Sequence, residues 1–249
     1  DPTLYRGMRY FMARRVFSLG ENFSAVSPYL KGMLPARVRA RCKVIPNPIP
    51  ALAFIQPERT SQPDRETFVS VSNGWDERKN MKVALSAFAQ LRKSYPAARL
   101  KIYGQGYEKG GVAHRWAVSN SCEAGVEFCG RVPLEVIIAE LQSATAFLHP
   151  SKEETFGVSI VEALSLGTPA IAGRQSGAVP WVTEHAACVL VDVSDVDAVC
   201  SAMRRFLAAR PFAKGELSRS REMIRNRFGP LQISKSYVDE YVRIVAEGR

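Results

Sequence analysis

The sequence is poor in the residues that hold metals or staple small folds. Its 249 residues include only three histidines, His114, His149 and His185, widely separated and without H-x-x-x-H spacing, so a histidine-built metal centre is not expected. The five cysteines (Cys42, Cys122, Cys129, Cys188, Cys200) are odd in number and contain no C-x-x-C pair, which argues against a disulfide framework and a zinc site alike. A reducing cytoplasm is the expected setting. No apolar stretch approaches the roughly 18 residues of a spanning helix, and no secretory signal is expected at the start. Nucleic-acid binding lacks its usual companions: zinc-finger spacing, an aromatic ribonucleoprotein motif or a basic low-complexity tail. The one Asp-x-Asp match, Asp195-Val196-Asp197, opens a C-terminal helix and not a metal-binding loop.

With 46% hydrophobic and 23% charged residues, the chain reads as an ordinary globular protein of one large or two small domains. The net charge of +10 is unevenly spread, since residues 1–50 hold nine Lys or Arg against only Asp1 and Glu21. Such a surface attracts phosphate-bearing partners, a nucleotide or an anionic lipid, although a plain solvated face is the commoner reason for it. The start at Asp1, running into an Arg-rich amphipathic segment from Leu4 to Phe17, suggests a piece of a longer protein.

Val44-Ile45-Pro46-Asn47-Pro48-Ile49-Pro50 imposes an extended path, and the polar stretch from Gln56 to Pro63 follows it, so a boundary is expected over 44–65. Before it, Asn22 to Val26 suits a short strand, and Ser27-Pro28 reads as N-cap and first residue of a helix running to Leu34. After it, short apolar strands (Phe68–Val71, Leu100–Tyr103, Val126–Cys129, Ala146–Leu148, Pro169–Ala172, Cys188–Val191) alternate with helical segments (Met81–Leu91, Val112–Val118, Pro133–Leu141, Val158–Leu166). This alternation predicts an α/β fold: right-handed crossovers and a parallel sheet with helices on both faces, with ligands at the carboxyl ends of the strands. Helices over Val196–Leu207, Glu216–Arg225 and Ile233–Val245 finish the chain, with Tyr237 and Tyr241 of the last expected to pack on the body.

The chemistry concentrates between His149 and Pro169. A strand end opens into a polar loop carrying Glu154, Phe156-Gly157 forms a strand-to-helix turn, and Glu162 lies on the second turn of the helix. Glycine there lets the backbone approach a ligand, and the free N–H groups of Val158 and Ser159 suit an anionic oxygen. Carboxylates flanking an anion site describe a receptor for a polyhydroxylated phosphate ester, such as a nucleotide sugar. Taken singly, Glu154 and Glu162 would read as solvated residues, Lys79 as a helix-start decoration and His149 as a packed strand-end residue; His114 and His185 suggest no partner.

Glu154 and Glu162, separated by seven residues in E-T-F-G-V-S-I-V-E-A-L-S-L-G-T-P, resemble the glutamate pair of the family 4 (group 1) retaining glycosyltransferases of the GT-B fold. Further motifs agree in order: Val44 to Pro48 is similar to the linker entering the donor domain, Arg78-Lys79-Asn80 to Phe88 to the phosphate-site lysine and its helix, and Ile102 to Gly106 to the next strand and turn. Phe128-Cys129-Gly130-Arg131-Val132 is similar to the base-contacting turn, and Ser176 to Pro180 to the glycine-rich turn. The resemblance implies that Glu162 accepts from ribose hydroxyls, that Glu154 contacts the donor sugar, and that Phe156, Gly157 and Val158 offer backbone N–H groups. It also implies that Lys79, helped by Arg78, neutralises the diphosphate, while Gly130, Arg131 and Val132 meet the base. Three positions depart from the pattern: Gly74 where an arginine is usual, Thr155 where a glycine is usual, and Trp181 where a glutamate is usual.

The expected organisation is therefore the end of an acceptor domain over 1–43, a linker over 44–65, a Rossmann-like nucleotide-sugar domain over 66–226, and a C-terminal helix over 227–249 packing back on the N-terminal part. Expected partners are a UDP- or GDP-sugar donor and a glycan, lipid or small-molecule acceptor, with no bound cofactor or metal and no nucleic acid. Localisation would be cytoplasmic, with a peripheral contact at the inner face of an anionic membrane. The reaction implied is retaining hexose transfer to an acceptor hydroxyl; the alternative is a non-catalytic module binding a nucleotide sugar or an anionic surface.

Overall fold

A computed structural model describes residue 15 and residues 20–57, 66–209 and 211–248. The helical segment read from Leu4 to Phe17 lies outside the described residues apart from Arg15, as does the polar stretch 58–65.

Two short strands, β1 (Phe23–Ala25) and β2 (Cys42–Val44), pair in parallel. Between them stand α1 (Pro28–Met33) and α2 (Ala36–Arg39). Ser27 caps α1 as its sequence suggests, its Oγ accepting from Leu30 N at 3.1 Å, with proline at the first helical position.

The body is a six-stranded sheet of β3 (Thr67–Val71), β4 (Arg99–Tyr103), β5 (Val126–Gly130), β6 (Ala146–His149), β7 (Ala170–Gly173) and β8 (Cys188–Val191). The order is β5-β4-β3-β6-β7-β8 and every pairing is parallel. Along β3, successive residues face opposite sides. Phe68 enters a core with Leu85, Phe88 and Leu91 of α4 (Met81–Arg92) and Met203 and Phe206 of α9 (Val196–Ala209). Val69 enters a second core with Ile138 of α6 (Leu134–Ser143), Ile160 and Leu164 of α7 (Val158–Ser165), and Phe228 of α10 (Lys214–Phe228). Burial on both faces is why β6 and β7 are buried at every position and read as unbroken apolar runs. α5 (Val112–Ser119) completes the first layer, and α11 (Pro230–Ala246) ends the chain.

Three short helices were not anticipated, among them α2, which follows Pro35. Both α3 (Ala51–Phe54) and α8 (Val179–Val182) begin at a proline, Pro50 as N-cap and Pro180 in the first turn, where the missing N–H costs nothing. The expectation for Tyr241 is also corrected: its side chain is 63% exposed, because α11 buries only Ile233 and Glu240. α11 meets the first sheet through polar groups instead, with Lys43 Nζ 3.0 Å from Glu240 Oε2 and Arg243 Nη2 donating to Asn22 Oδ1 at 3.3 Å.

Candidate functional site

Strand order reverses between β3 and β6, so the loops leaving their carboxyl ends part at that point and open a crevice. The loop after β3 is wound tightly. Asp76 Oδ1 accepts from Lys79 N at 2.9 Å, and Asn80 adopts a left-handed conformation (φ 54°) just before α4. The buried Asn80 side chain donates from Nδ2 to Pro150 O (3.0 Å) after β6 and to Val193 O (2.6 Å) after β8. Lys152 N donates to Arg78 O at 2.8 Å. Lys79 is thereby pinned against the exit of β6.

Across the crevice, Lys79 Nζ lies 2.7 Å from Glu154 Oε1, with the two side chains only 14% and 13% exposed. His149, the buried last residue of β6, places Nε2 3.2 Å from the same oxygen, off the direction of a hydrogen bond. Burial opposes the charge on Glu154, but the His149 ring and then the Lys79 ammonium outweigh it and hold the carboxyl at about 2. The backbone around Glu154 is fixed from two sides. Ala178 N donates to Glu154 O at 2.8 Å, while Ser27 Oγ donates to Thr155 O and Tyr29 Oη to Glu153 Oε1 (2.8 Å) from the α1 side.

Phe156 turns its ring inward against Trp181 and Phe228, at 6.3 and 5.4 Å between centroids, leaving only its backbone for the crevice. Gly157 caps α7 at φ +88°, without a side-chain cap, and the N–H groups of Val158 and Ser159 have no backbone partner among the described residues. The Glu162 carboxyl makes no hydrogen bond or ion pair with a described residue, and burial alone raises it to about 7. A half-buried acid without a cation, one turn behind free amides, is costly unless a ligand donates to it.

Other sequence-predicted residues stand apart. Arg78 is half exposed and faces Asp76 at 3.7 Å. Gly130 ends β5 at φ +66°, its O accepting from Gly104 N at 2.7 Å, while the exposed Arg131 donates to Gln105 Oε1 at 2.5 Å. These residues and Val132 lie two strands from β3 in the sheet. At Gly74, φ is +89° and Trp75 packs edge-on against Tyr107 at 6.1 Å, so this turn is built on an aromatic anchor in place of an arginine. His114 does find partners, accepting from Gly110 N at 3.1 Å and meeting the Phe128 ring at 5.1 Å. A surface depression of about 520 Å³ lies on α10, lined by Arg219, Glu222, Met223, Asn226 and Arg227, and touches none of the predicted site residues.

Sequence reasoning missed Asn80 and the His149 contact. Asparagine directly after Lys79 and before an apolar helix was the available signal for the first, since Asn tolerates the left-handed region. Nothing local pointed His149 at Glu154. Among the described residues no group of three or more His, Cys, Asp or Glu is placed to hold a metal ion, and no helix is long and apolar enough to cross a membrane.

Solved structures similar to this chain share the same frame. In solved structures, sucrose-phosphate synthase from Thermosynechococcus elongatus superposes with a TM-score of 0.79 at 22% identity, over 97% of this chain and 62% of its own. Anabaena HepE in complex with UDP and glucose superposes at 0.73 and 17%, over 91% of this chain and 64% of its own. Among curated relatives, the GDP-mannose-dependent alpha-(1-6)-phosphatidylinositol monomannoside mannosyltransferase of Mycolicibacterium smegmatis is 30% identical over 159 residues, 61% of this chain and 41% of that protein. The D-inositol 3-phosphate glycosyltransferase of Corynebacterium urealyticum is 30% identical over 132 residues, 51% of this chain and 31% of that protein. The chain thus spans less than half the length of these curated relatives. The family model for glycosyl transferases group 1 matches residues 54–226, which include Lys79, Glu154 and Glu162 and all of the six-stranded sheet. On that match, over most of its length, the chain belongs to the group 1 glycosyl transferases.

Proposed function

We propose that this chain provides the donor-binding half of a retaining glycosyltransferase, which moves a hexose from a UDP- or GDP-sugar to an acceptor hydroxyl. The observation that carries the reading is the pairing of Lys79 and Glu154 across the strand-order reversal, inside the segment that matches the family. A cation, free helix N–H groups and two carboxyl groups in one crevice form a receptor for a phosphate ester rich in hydroxyls. In this reading Lys79 offsets charge on the diphosphate, Glu154 accepts from the donor sugar, Glu162 accepts from the ribose, and Gly130, Arg131 and Val132 border the base. Residues 66–226 form the donor domain, joined through 44–65 to the acceptor-side residues 1–43, with 227–249 returning to that side. The GDP-mannose dependence in a relative's name and the UDP in a structural neighbour make those two nucleotides the ones to test first.

Calorimetry with UDP, GDP, UDP-glucose and GDP-mannose tests the proposal, and a folded sample that binds none of them overturns it. Lys79→Ala is expected to weaken diphosphate and sugar nucleotide alike by about tenfold and to flatten the salt dependence of what remains. Glu154→Gln is expected to weaken the sugar nucleotide more than the bare diphosphate. Equal losses for the two ligands would remove Glu154 from sugar recognition.

A further inference from the structure

His149 has so far entered only through its closeness to Glu154, yet it is a deeply buried polar group at the crevice. Its ring stands at the end of β6 beside Phe147, 5.8 Å between centroids, and is 3% exposed. Its Nε2 is buried and makes no aligned hydrogen bond, although Glu154 Oε1 is 3.2 Å away. That oxygen is already taken by Lys79 at 2.7 Å. Two donors therefore converge on one oxygen, and only one of them is satisfied.

Binding a diphosphate would upset this balance. If Lys79 turns its ammonium to the phosphates, Glu154 loses its nearest cation while still shielded from water, and a buried carboxylate without a partner is strongly unfavourable. A buried Nε2 without a partner carries its own penalty. One small movement removes both costs.

Resting on the donor-site reading above, we propose that His149 is a positioning residue: when Lys79 moves from Glu154 to the diphosphate, His149 Nε2–H takes over the Glu154 carboxylate and holds it toward the donor sugar. The Nε2–H group can donate from the neutral Nε2 tautomer as well as from the protonated ring, so the exchange does not require a charged histidine.

The exchange predicts coupling, which a merely structural role would not give. His149→Phe keeps an aromatic ring at the strand end and removes the donor, and it should weaken UDP or GDP binding by about tenfold when Lys79 is present. In a Lys79→Ala background no exchange occurs, so the same substitution should change nucleotide affinity little. His149→Gln, which can again present an amide N–H, should recover most of the loss. Equal losses in both backgrounds, or no loss in either, would overturn the proposal. Should the phenylalanine variant not fold, ring-nitrogen spectra of the wild-type protein decide the matter, because only three histidines contribute signals. Addition of the nucleoside diphosphate should shift the His149 Nε2 resonance toward a hydrogen-bonded N–H, and a resonance that does not move refutes the exchange. A wild-type protein that binds neither nucleotide fails the donor-site reading, whereas normal binding with additive variants fails this inference alone.

Discussion

Glu162→Ala is expected to weaken nucleotide binding by about ten- to a hundredfold while leaving the fold intact, because a carboxylate accepting from two ribose hydroxyls forms charge-assisted hydrogen bonds. The same position carries a pH signature. Burial raises Glu162 from 4.5 to about 7, with no partner to bring it back. Between those two values the folded chain binds more protons at this site than the unfolded chain, so the group lowers stability progressively as pH rises through that window. Glu162→Gln should relieve this cost at neutral pH and above. Ligand binding runs the other way: if the ribose hydroxyls donate to the charged carboxylate, affinity should rise roughly tenfold between about pH 6 and about pH 8 and then level off. A sugar nucleotide is the right probe, since its diester phosphates do not titrate in that range as a terminal phosphate does. Calorimetry on the wild type and Glu162→Gln should show the rise in the first and not in the second. A pH-independent wild-type affinity would mean that Glu162 does not receive the ribose.

The strands and long helices of the main sheet were legible because their causes are local. Phe68 and Val69 alternate between two cores, Met81 to Leu91 repeats apolar residues at helical spacing, and Ser27-Pro28 caps a helix by its own chemistry. The order of the strands was not legible, since nothing within β3 states that β4 and β6 flank it. The site divides in the same way. Gly157 and Glu162 sit on one turn and helix, so their relation follows from spacing. Lys79 and Glu154 are 75 residues apart and meet only because the sheet brings two loops together; the sequence offered that pair through resemblance alone. His149 had no such guide, and Asn80 had only its place beside Lys79. Their contacts run to Glu154, Pro150 and Val193, and depend on three-dimensional placement that a periodicity cannot express. The exposed Tyr241 failed for the opposite reason: its spacing is helical, but spacing does not say which face of a terminal helix finds a neighbour.

Gly177→Ala is expected to damage stability and sugar binding together, because this glycine supports the backbone that carries Glu154. Its φ is +61°, and a Cβ there would stand 2.3 Å from Glu154 O and 2.9 Å from Tyr29 Cε1. The first contact is with backbone, so no rotamer change relieves it. The loop has nowhere easy to retreat, since Ala178 N holds Glu154 O at 2.8 Å on one side and α1 holds Glu153 and Thr155 on the other. Left-handed strain at a non-glycine residue and overpacking each cost about 1–3 kcal/mol. Their sum for a chain of this size corresponds to a fall in Tm of roughly 10 °C. Gly110→Ala separates the two causes: its φ is +79°, but a Cβ there would meet nothing within 4 Å, so it keeps the strain and lacks the clash. Thermal unfolding should place Gly177→Ala well below Gly110→Ala. In calorimetry, the Gly177 variant should lose affinity for the sugar nucleotide at least as severely as Glu154→Gln, since it displaces the whole residue and not only its charge, whereas Gly110→Ala should bind normally. If the two glycine variants unfold at the same temperature and bind alike, the close approach of Gly177 to Glu154 contributes nothing, and the loop that presents Glu154 is held by other contacts.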